Sequence, residues 1–332
     1  MTVGVATRVA KADATAIKAA ADVLAKGGLV AFPTETVYGL GADATNAAAV
    51  ARLYAAKGRP AFNPLITHVG DLAGARRIGR FDGAAERLAA FWPGPLTLVL
   101  PKAADCPVAE LALAGLDTIA VRIPAHPVAL ALLRMFGKPI VAPSANRSGH
   151  VSPTDAQHVV ADLAGRVDLV LDGGATPVGV ESSIVACLNG VTSLLRPGGL
   201  PRDDMERALG HPLALVEDSA AMAAGDDAPI APGMLASHYA PRAQLRLNSD
   251  RVSAGEALLA FGPDLPPGAQ QAARVLNLSA RGDLVEAAAN LFSHLRALDA
   301  ADITSIAVMP VPAEGLGEAI NDRLARAAAP RP

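Results

Sequence analysis

The sequence predicts an α/β protein in two parts: an open, mixed, twisted sheet flanked by helices, then a smaller Rossmann-like α/β domain. Three observations carry this expectation. Helical and extended patterns alternate from Asp13 to about residue 200. A stretch rich in Ala, Asp and Gly (Asp218–Asp227), followed by Pro229, Pro232 and Gly233, interrupts them. A shorter alternation resumes beyond Pro241. The expected boundaries are residues 10–202 for the larger domain, 203–242 for a linker and 243–330 for the smaller domain.

The elements follow in order. Asp13 to Lys26 repeats apolar residues at helical spacing (Ile17, Ala21, Leu24) and stops at Gly27-Gly28, a helix C-terminal signal. A strand is expected at Leu29–Phe32, and Asn46 caps a helix carrying Val50, Leu53 and Tyr54 that ends near Gly58. Strand Leu65–Val69, helix Ala84–Phe91 and strand Leu96–Leu100 come next, then strand Ile119–Ile123, helix Val128–Phe136 and strand Ile140–Ala142. Ser152-Pro153-Thr154-Asp155 reads as a cap with proline at the first helical position, opening a helix to about Leu163. Strands Leu169–Leu171, Ser183–Leu188 and Leu194–Arg196 and a short helix Asp203–Leu209 follow. The smaller domain should hold strands near Leu245, Leu258–Phe261, Val275–Leu278 and Ile306–Met309, with helices Leu284–Leu298 and Gly317–Ala328.

Composition narrows the function. The chain has 332 residues, 51% of them hydrophobic, yet no apolar run approaches the ~20 residues that span a bilayer. Met1-Thr2-Val3-Gly4-Val5 carries no basic region ahead of an apolar segment, so no signal peptide is expected and the cytoplasm is the expected compartment. A formal net charge of −3 argues against bulk polyanion binding and leaves room only for local nucleotide or RNA contacts. Cys106 and Cys187 read as two reduced thiols rather than a disulfide or metal pair, and the seven histidines form no ligand pattern, so no protein-held metal is expected.

Four stretches could carry chemistry. Polar residues crowd "FPTETVYGLGAD", Phe32 to Asp43, where a strand should end; they either turn the chain or hold a ligand. In Lys57-Gly58-Arg59-Pro60-Ala61-Phe62-Asn63-Pro64 two cations flank a glycine after a helix. Helix-dipole compensation would explain them, as would a phosphate clamp in which lysine is a point charge and arginine a fork. Along "TIAVRIP", Arg122 shares a face with Thr118 and Ala120, which suits a carboxylate partner from the protein or a small carboxylate ligand. Ala142-Pro143-Ser144-Ala145-Asn146-Arg147-Ser148-Gly149, with Ser152 after it, is a polar turn at a strand's C-terminal end, where open α/β sheets bind ligands. Glu181-Ser182-Ser183 and Leu195-Arg196-Pro197-Gly198 repeat the theme. No G-x-x-x-x-G-K-[ST], G-x-G-x-x-G or G-x-S-x-G occurs, and no Ser or Cys has an evident His partner, so a covalent nucleophile is not expected.

Seven segments in order, "PTETVYGLGAD", "KGRPAFNPLITHV", "TIAVRIP", "APSANRSGHVSPT", "DGGATPVGVESSIV", "LRPGG" and "APGMLASHYAP", resemble the YrdC-like family of threonylcarbamoyl-AMP synthases in its long form with an added C-terminal domain. The resemblance implies a nucleotidyltransferase with a YrdC-like sheet. Its reaction would make L-threonylcarbamoyl-AMP and pyrophosphate from L-threonine, bicarbonate and ATP, for N6-threonylcarbamoyladenosine in tRNA. Mg²⁺ would be held mainly by phosphates, and the product would pass to the tRNA-modifying machinery. By motif position, Thr36, His68, Arg122, Ala142 (through its backbone) and Ser182 would surround threonine. Arg59, Asn63, Thr118, Ser144, Ser152 and Arg196 would hold ATP, with Lys57 beside the phosphates; Lys57 and Arg59 would act electrostatically. His238 or Tyr239 in the linker would fold back over the nucleotide as a lid. "ESS" stands where the family commonly has Glu-Ser-Thr, and Leu235-Ala236-Ser237 where it often has basic and aromatic residues. The competing readings are a double-stranded RNA-binding module of the same fold, or the same chemistry on another carbamoyl substrate.

Overall fold

The structure, a computed structural model, describes residues 5–214, 239–299 and 302–330. His238 and Leu235-Ala236-Ser237, on which much of the lid expectation falls, lie outside the described residues.

The larger sheet has ten strands: β1 Arg8–Lys11, β2 Val30–Pro33, β3 Tyr38–Asp43, β4 Ile66–His68, β5 Leu96–Pro101, β6 Thr118–Arg122, β7 Ile140–Val141, β8 Leu169–Asp172, β9 Ser183–Leu188 and β10 Val191–Arg196. Their spatial order is β1-β8-β2-β3-β7-β4-β6-β5-β9-β10, with β1/β8, β2/β8, β4/β6 and β5/β9 parallel and the other pairs antiparallel. The helices are α1 Ala14–Ala25, α2 Ala47–Lys57, α3 Leu72–Ile78, α4 Gly83–Leu88, α5 Glu110–Leu113, α6 Pro127–Phe136, α7 Ala156–Leu163 and α8 Arg202–Leu209.

Helices cover both faces of the sheet, which is why its inner strands read as unbroken apolar runs. Along β2, Ala31 faces one core with Leu40, Leu53 and Val121, while Val30 and Phe32 face the other with Leu24, Leu132 and Leu171. β3 was not expected, because Gly39 and Gly41 are weak strand formers. The packing requires both: a Cβ on Gly41 would stand 2.8 Å from Phe32 Cε1, and one on Gly39 3.2 Å from Ala142 Cβ.

The expected cap of α2 holds, Asn46 accepting from Ala48 and Ala49 N–H with the helix ending at left-handed Gly58, while α1 runs Ala14–Ala25 with Asp13 as its N-cap, accepting from Ala16 N–H. The α7 cap is a correction. The helix starts at Ala156 with Asp155 as N-cap, and not at Ser152. Pro153 cannot open it, because its carbonyl accepts Tyr38 N–H at 2.9 Å and stays extended beside β3.

The smaller unit is a parallel sheet in the order β11-β14-β12-β13 (β11 Gln244–Arg246, β12 Ala257–Ala260, β13 Arg274–Asn277, β14 Ser305–Val308) with helices α9 Leu284–Leu298 and α10 Leu316–Ala328. Its core continues into the larger unit: Val37, Val151 and Val180 pack in one apolar cluster with Leu291, Phe292 and Ile320. At Gly179 a Cβ would stand 2.2 Å from Ala288 carbonyl oxygen of α9, so glycine permits this approach. No helix among the described residues is long and apolar enough to cross a membrane.

Candidate active site

One cleft enclosing about 510 Å³ of empty space, part of it open to solvent, lies where several strand ends meet. His68 ends β4 and Arg122 ends the parallel neighbour β6, in register with each other. Ala142 follows β7, and its N–H donates to Ile66 carbonyl at 3.0 Å. Ser182 precedes β9 and Arg196 ends β10. These residues, with Val37, Arg59, Ile66, Pro143, Ser144, Glu181 and Tyr239, line the cleft.

Arg122 is 4% exposed and pre-set from behind. One of its Nη atoms donates to Glu35 Oε1 at 2.6 Å and to Thr36 Oγ1 at 2.9 Å. Glu35 Oε2 in turn accepts Ala125 N–H at 3.0 Å. Arg122 Nε is buried without a hydrogen-bond partner among the described residues, and so is His68 Nδ1. Burial, reinforced by the Arg122 charge, pushes His68 down to about 3, so the imidazole is neutral at pH 7. Thr36 does not line the cleft; it stands behind Arg122 and shares a 2.8 Å hydroxyl contact with Thr34.

Two further guanidinium groups face the cleft, and among the described residues their hydrogen-bond acceptors are neutral oxygens. Arg59 donates to Asn63 Oδ1 at 2.6 Å and Pro64 carbonyl at 2.9 Å, so Asn63 acts on the cleft through Arg59. Arg196 donates to Ser182 carbonyl at 2.9 Å. Burial pushes Arg59 down to about 10 and lowers Arg196. Ser182 hydroxyl meets Thr97 hydroxyl at 2.8 Å.

Lys57 departs from expectation. Its ammonium is buried and donates to Ser144 and Asn146 carbonyls, each at 2.5 Å, so it ties the Ser144–Asn146 turn and does not line the cleft. The physical reason is direction: the helix-terminal side chain turns inward under the turn rather than out towards a ligand, and burial holds its pKa well below the usual lysine range. Thr118 starts β6 at the end away from Arg122 and does not line the cleft. Ser152 is buried one layer back, its hydroxyl donating to Glu181 Oε1 at 2.7 Å.

Three charged partners have roles that the motif positions did not assign. Glu35 anchors Arg122, and Glu181 lines the cleft, its Oε2 accepting from Arg323 Nε at 2.7 Å. Burial alone would raise Glu181, but the Arg323 and Arg196 charges hold it down at about 2. Arg323 stood at helical spacing among buried Ile320, Leu324 and Ala327, a cation on an apolar face, and that signal was available. Tyr239 does reach the cleft wall, stacked on Phe292 with centroids 5.4 Å apart. Among the described residues no group of three or more His, Cys, Asp or Glu side chains comes together, and both cysteines are free.

Two family profiles match the chain. One, described as "Telomere recombination" (the Sua5, YciO and YrdC group), covers residues 22–198, and one described as "Threonylcarbamoyl-AMP synthase, C-terminal domain" covers residues 201–329. Threonylcarbamoyl-AMP synthase of Bacillus subtilis (strain 168) is 40% identical over 331 residues, spanning 95% of this chain and 93% of the relative. The protein of that name from Pyrococcus abyssi (strain GE5 / Orsay) is 42% identical over 329 residues, 94% of this chain and 93% of its own. The crystal structure of P. abyssi Sua5 complexed with L-threonine superposes with a TM-score of 0.85 at 38% identity, over 98% of this chain and 97% of that one.

Proposed function

The chain belongs to the threonylcarbamoyl-AMP synthase family in its long, two-domain form, and from that premise we propose how its cleft carries out the synthesis. The protein is an enzyme, a nucleotidyltransferase that makes L-threonylcarbamoyl-AMP and pyrophosphate from L-threonine, bicarbonate and ATP. The product serves N6-threonylcarbamoyl modification of tRNA adenosine. The observation that carries the residue assignment is a single cleft joining Arg122, pre-set by Glu35 and Thr36, to Arg59 and Arg196, whose hydrogen-bond acceptors are neutral.

Threonine's carboxylate takes the open side of Arg122, where Nε lacks a partner. Ala142 backbone, Ser182 and neutral His68 border the same end, so the ammonium group meets acceptors rather than a second cation. The ammonium loses a proton, bicarbonate takes one up and gives carbon dioxide with release of water, and the free amine adds to that carbon dioxide, losing a second proton to solvent, to give a carbamate. Its oxygen attacks the α-phosphorus of ATP, and the bond to the pyrophosphate oxygen breaks. The nucleophile belongs to the substrate, so the protein supplies position and positive charge. Arg59, Ser144 and Arg196 hold the triphosphate and the leaving pyrophosphate. Asn63 orients Arg59, Lys57 fixes the Ser144 turn, and Ser152, a layer back, engages the Glu181 carboxylate from behind. Thr118 would reach the nucleotide only beyond the cleft wall. Tyr239, on the cleft wall, covers the nucleotide and keeps water from a labile mixed anhydride, a role the sequence assigned to His238 or Tyr239. Mg²⁺, carried on the phosphates, supplies further charge neutralisation when bound. The division at residues 10–202, 203–242 and 243–330, the cytoplasm as working compartment, and hand-over of the product to a transferase belong to the same proposal.

The test is pyrophosphate release with threonine, bicarbonate and ATP, each omitted in turn, with the product identified by mass. Release that needs all three supports the reading. Salt-sensitive RNA binding without turnover, or turnover that ignores threonine, overturns it.

A further inference from the structure

The last helix of the smaller unit reaches into the wall of the cleft. Arg323 on α10 is fully buried, 0% exposed, and each of its three guanidinium nitrogens is engaged. Nε donates to Glu181 Oε2 at 2.7 Å, Nη2 donates to Pro197 carbonyl at 2.9 Å, and Nη1 pairs with Asp322. Its carbon lies 5.3 Å from the centroid of the Tyr239 ring. Glu181 and Tyr239 line the cleft, and Pro197 follows Arg196 directly. A residue 142 positions further along the chain than Glu181 therefore touches three points of the same wall.

Glu181 needs that contact. It places a carboxylate in a cleft that, on the synthase reading above, must accept a triphosphate. The other cation that acts on it through charge is Arg196, which donates to Ser182 carbonyl. Without Arg323, Glu181 would draw the Arg196 fork away from Ser182 and leave the phosphates one cation short. The turn after Arg196 is held by the same residues: Gly199 N–H donates to Glu181 carbonyl at 2.8 Å, while Arg323 takes Pro197 carbonyl. A Cβ on Gly198 would stand 2.3 Å from Ser182 carbonyl carbon, so this turn lies flat on the Glu181–Ser183 segment.

We propose that Arg323 is a positioning residue for ATP: by engaging Glu181 and Pro197 it leaves Arg196 free for phosphate, and so makes the smaller domain part of the nucleotide site. The inference rests on the synthase reading, and the experiment separates the two. Equilibrium ATP binding and the steady-state constants for ATP and threonine are measured for wild type, Arg323→Met, Arg323→Lys, the double variant R323M/E181Q and Arg202→Ala. The last breaks a different contact between α10 and the larger unit, Arg202 with Glu318 at 2.5 Å, and leaves Glu181 alone.

Arg323→Met weakens ATP binding tenfold or more while the threonine KM moves less than threefold. R323M/E181Q, in which the stray carboxylate is gone, recovers most of the loss. Arg202→Ala binds ATP like wild type. A folded Arg323→Met with wild-type ATP affinity overturns the inference. So does a double variant with no recovery, or an Arg202→Ala loss equal to that of Arg323→Met, which would mean simple docking. If Arg323→Met fails to fold, the lysine and double variants carry the test. Both should bind ATP within threefold of wild type, and a tenfold loss in both overturns the proposal. A wild type that binds ATP in an Arg323-dependent way but never needs threonine for turnover strikes the synthase reading and leaves this inference standing.

Discussion

A guanidinium buried in a cleft is either paired or waiting for an anion, and the three that line this one divide between those states. Arg122 has Glu35; Arg59 and Arg196 have neutral oxygens as acceptors. Replacing Arg59 with Ala should therefore cut kcat/KM at least a hundredfold, about 3 kcal/mol of transition-state stabilisation. The melting temperature should fall by no more than about 2 °C, since Arg59 is only half-buried and its hydrogen bonds go to neutral oxygens rather than to a buried carboxylate. Near-wild-type turnover by that variant would remove Arg59 from the phosphate site. His68 gives a pH test. Its folded pKa, about 3, lies below the unfolded value near 6.5, so the neutral form is the folded one. The resulting stability is fully present above about pH 6.5 and is lost as pH falls towards 3, with a slope of at most about 1.4 kcal/mol per pH unit. Urea unfolding at pH 7, 6 and 5 should show a shallower acid decline for His68→Gln than for wild type; identical slopes would refute burial of a neutral imidazole. At this scale the motif residues were legible because each sits in a short local pattern, "TIAVRIP" or "KGRPAFNP". Glu35 and Glu181 were not, because their partners Arg122 and Arg323 are 87 and 142 residues away.

Elements were legible where period and caps agreed. Helix α9 runs Leu284–Leu298 and strand β9 Ser183–Leu188, both as the apolar spacing requires. The misses share a cause, tertiary packing that overrides local propensity. β3 uses Gly39 and Gly41 because Ala142 and Phe32 come too close for side chains. β1 is an edge strand with little apolar signal, Arg8-Val9-Ala10-Lys11, held by β8. Gly179 extends the theme to a contact between units, at φ 75° with α9 backbone where its Cβ would be. Gly179→Ala should cost about 2–4 kcal/mol, from overpacking and left-handed strain together. Thermal unfolding should move down by several degrees, and α9 should gain protease sensitivity. An unchanged melting curve would show that the two units do not dock in solution as they do here.

Across the whole molecule, the larger unit is not self-sufficient. Val37, Val151 and Val180 bury against α9 and α10, and Glu181 has its counter-ion there. Ending the chain at residue 214 should leave a folded sheet that binds a hydrophobic dye and takes up ATP at least tenfold more weakly. Full activity with no dye binding would mean that the smaller unit serves only as an anchor. The order of strands adds a consequence for synthesis. β8 lies between β1 and β2, so β1, the first strand of the chain, has no neighbour to pair with until residue 172 has been made, whereas β2 can already pair with β3. α10 comes later still, and with it the cation that quiets Glu181. If Arg323 positions the nucleotide site as proposed, a growing chain should bind ATP only weakly until residue 323 has left the ribosome.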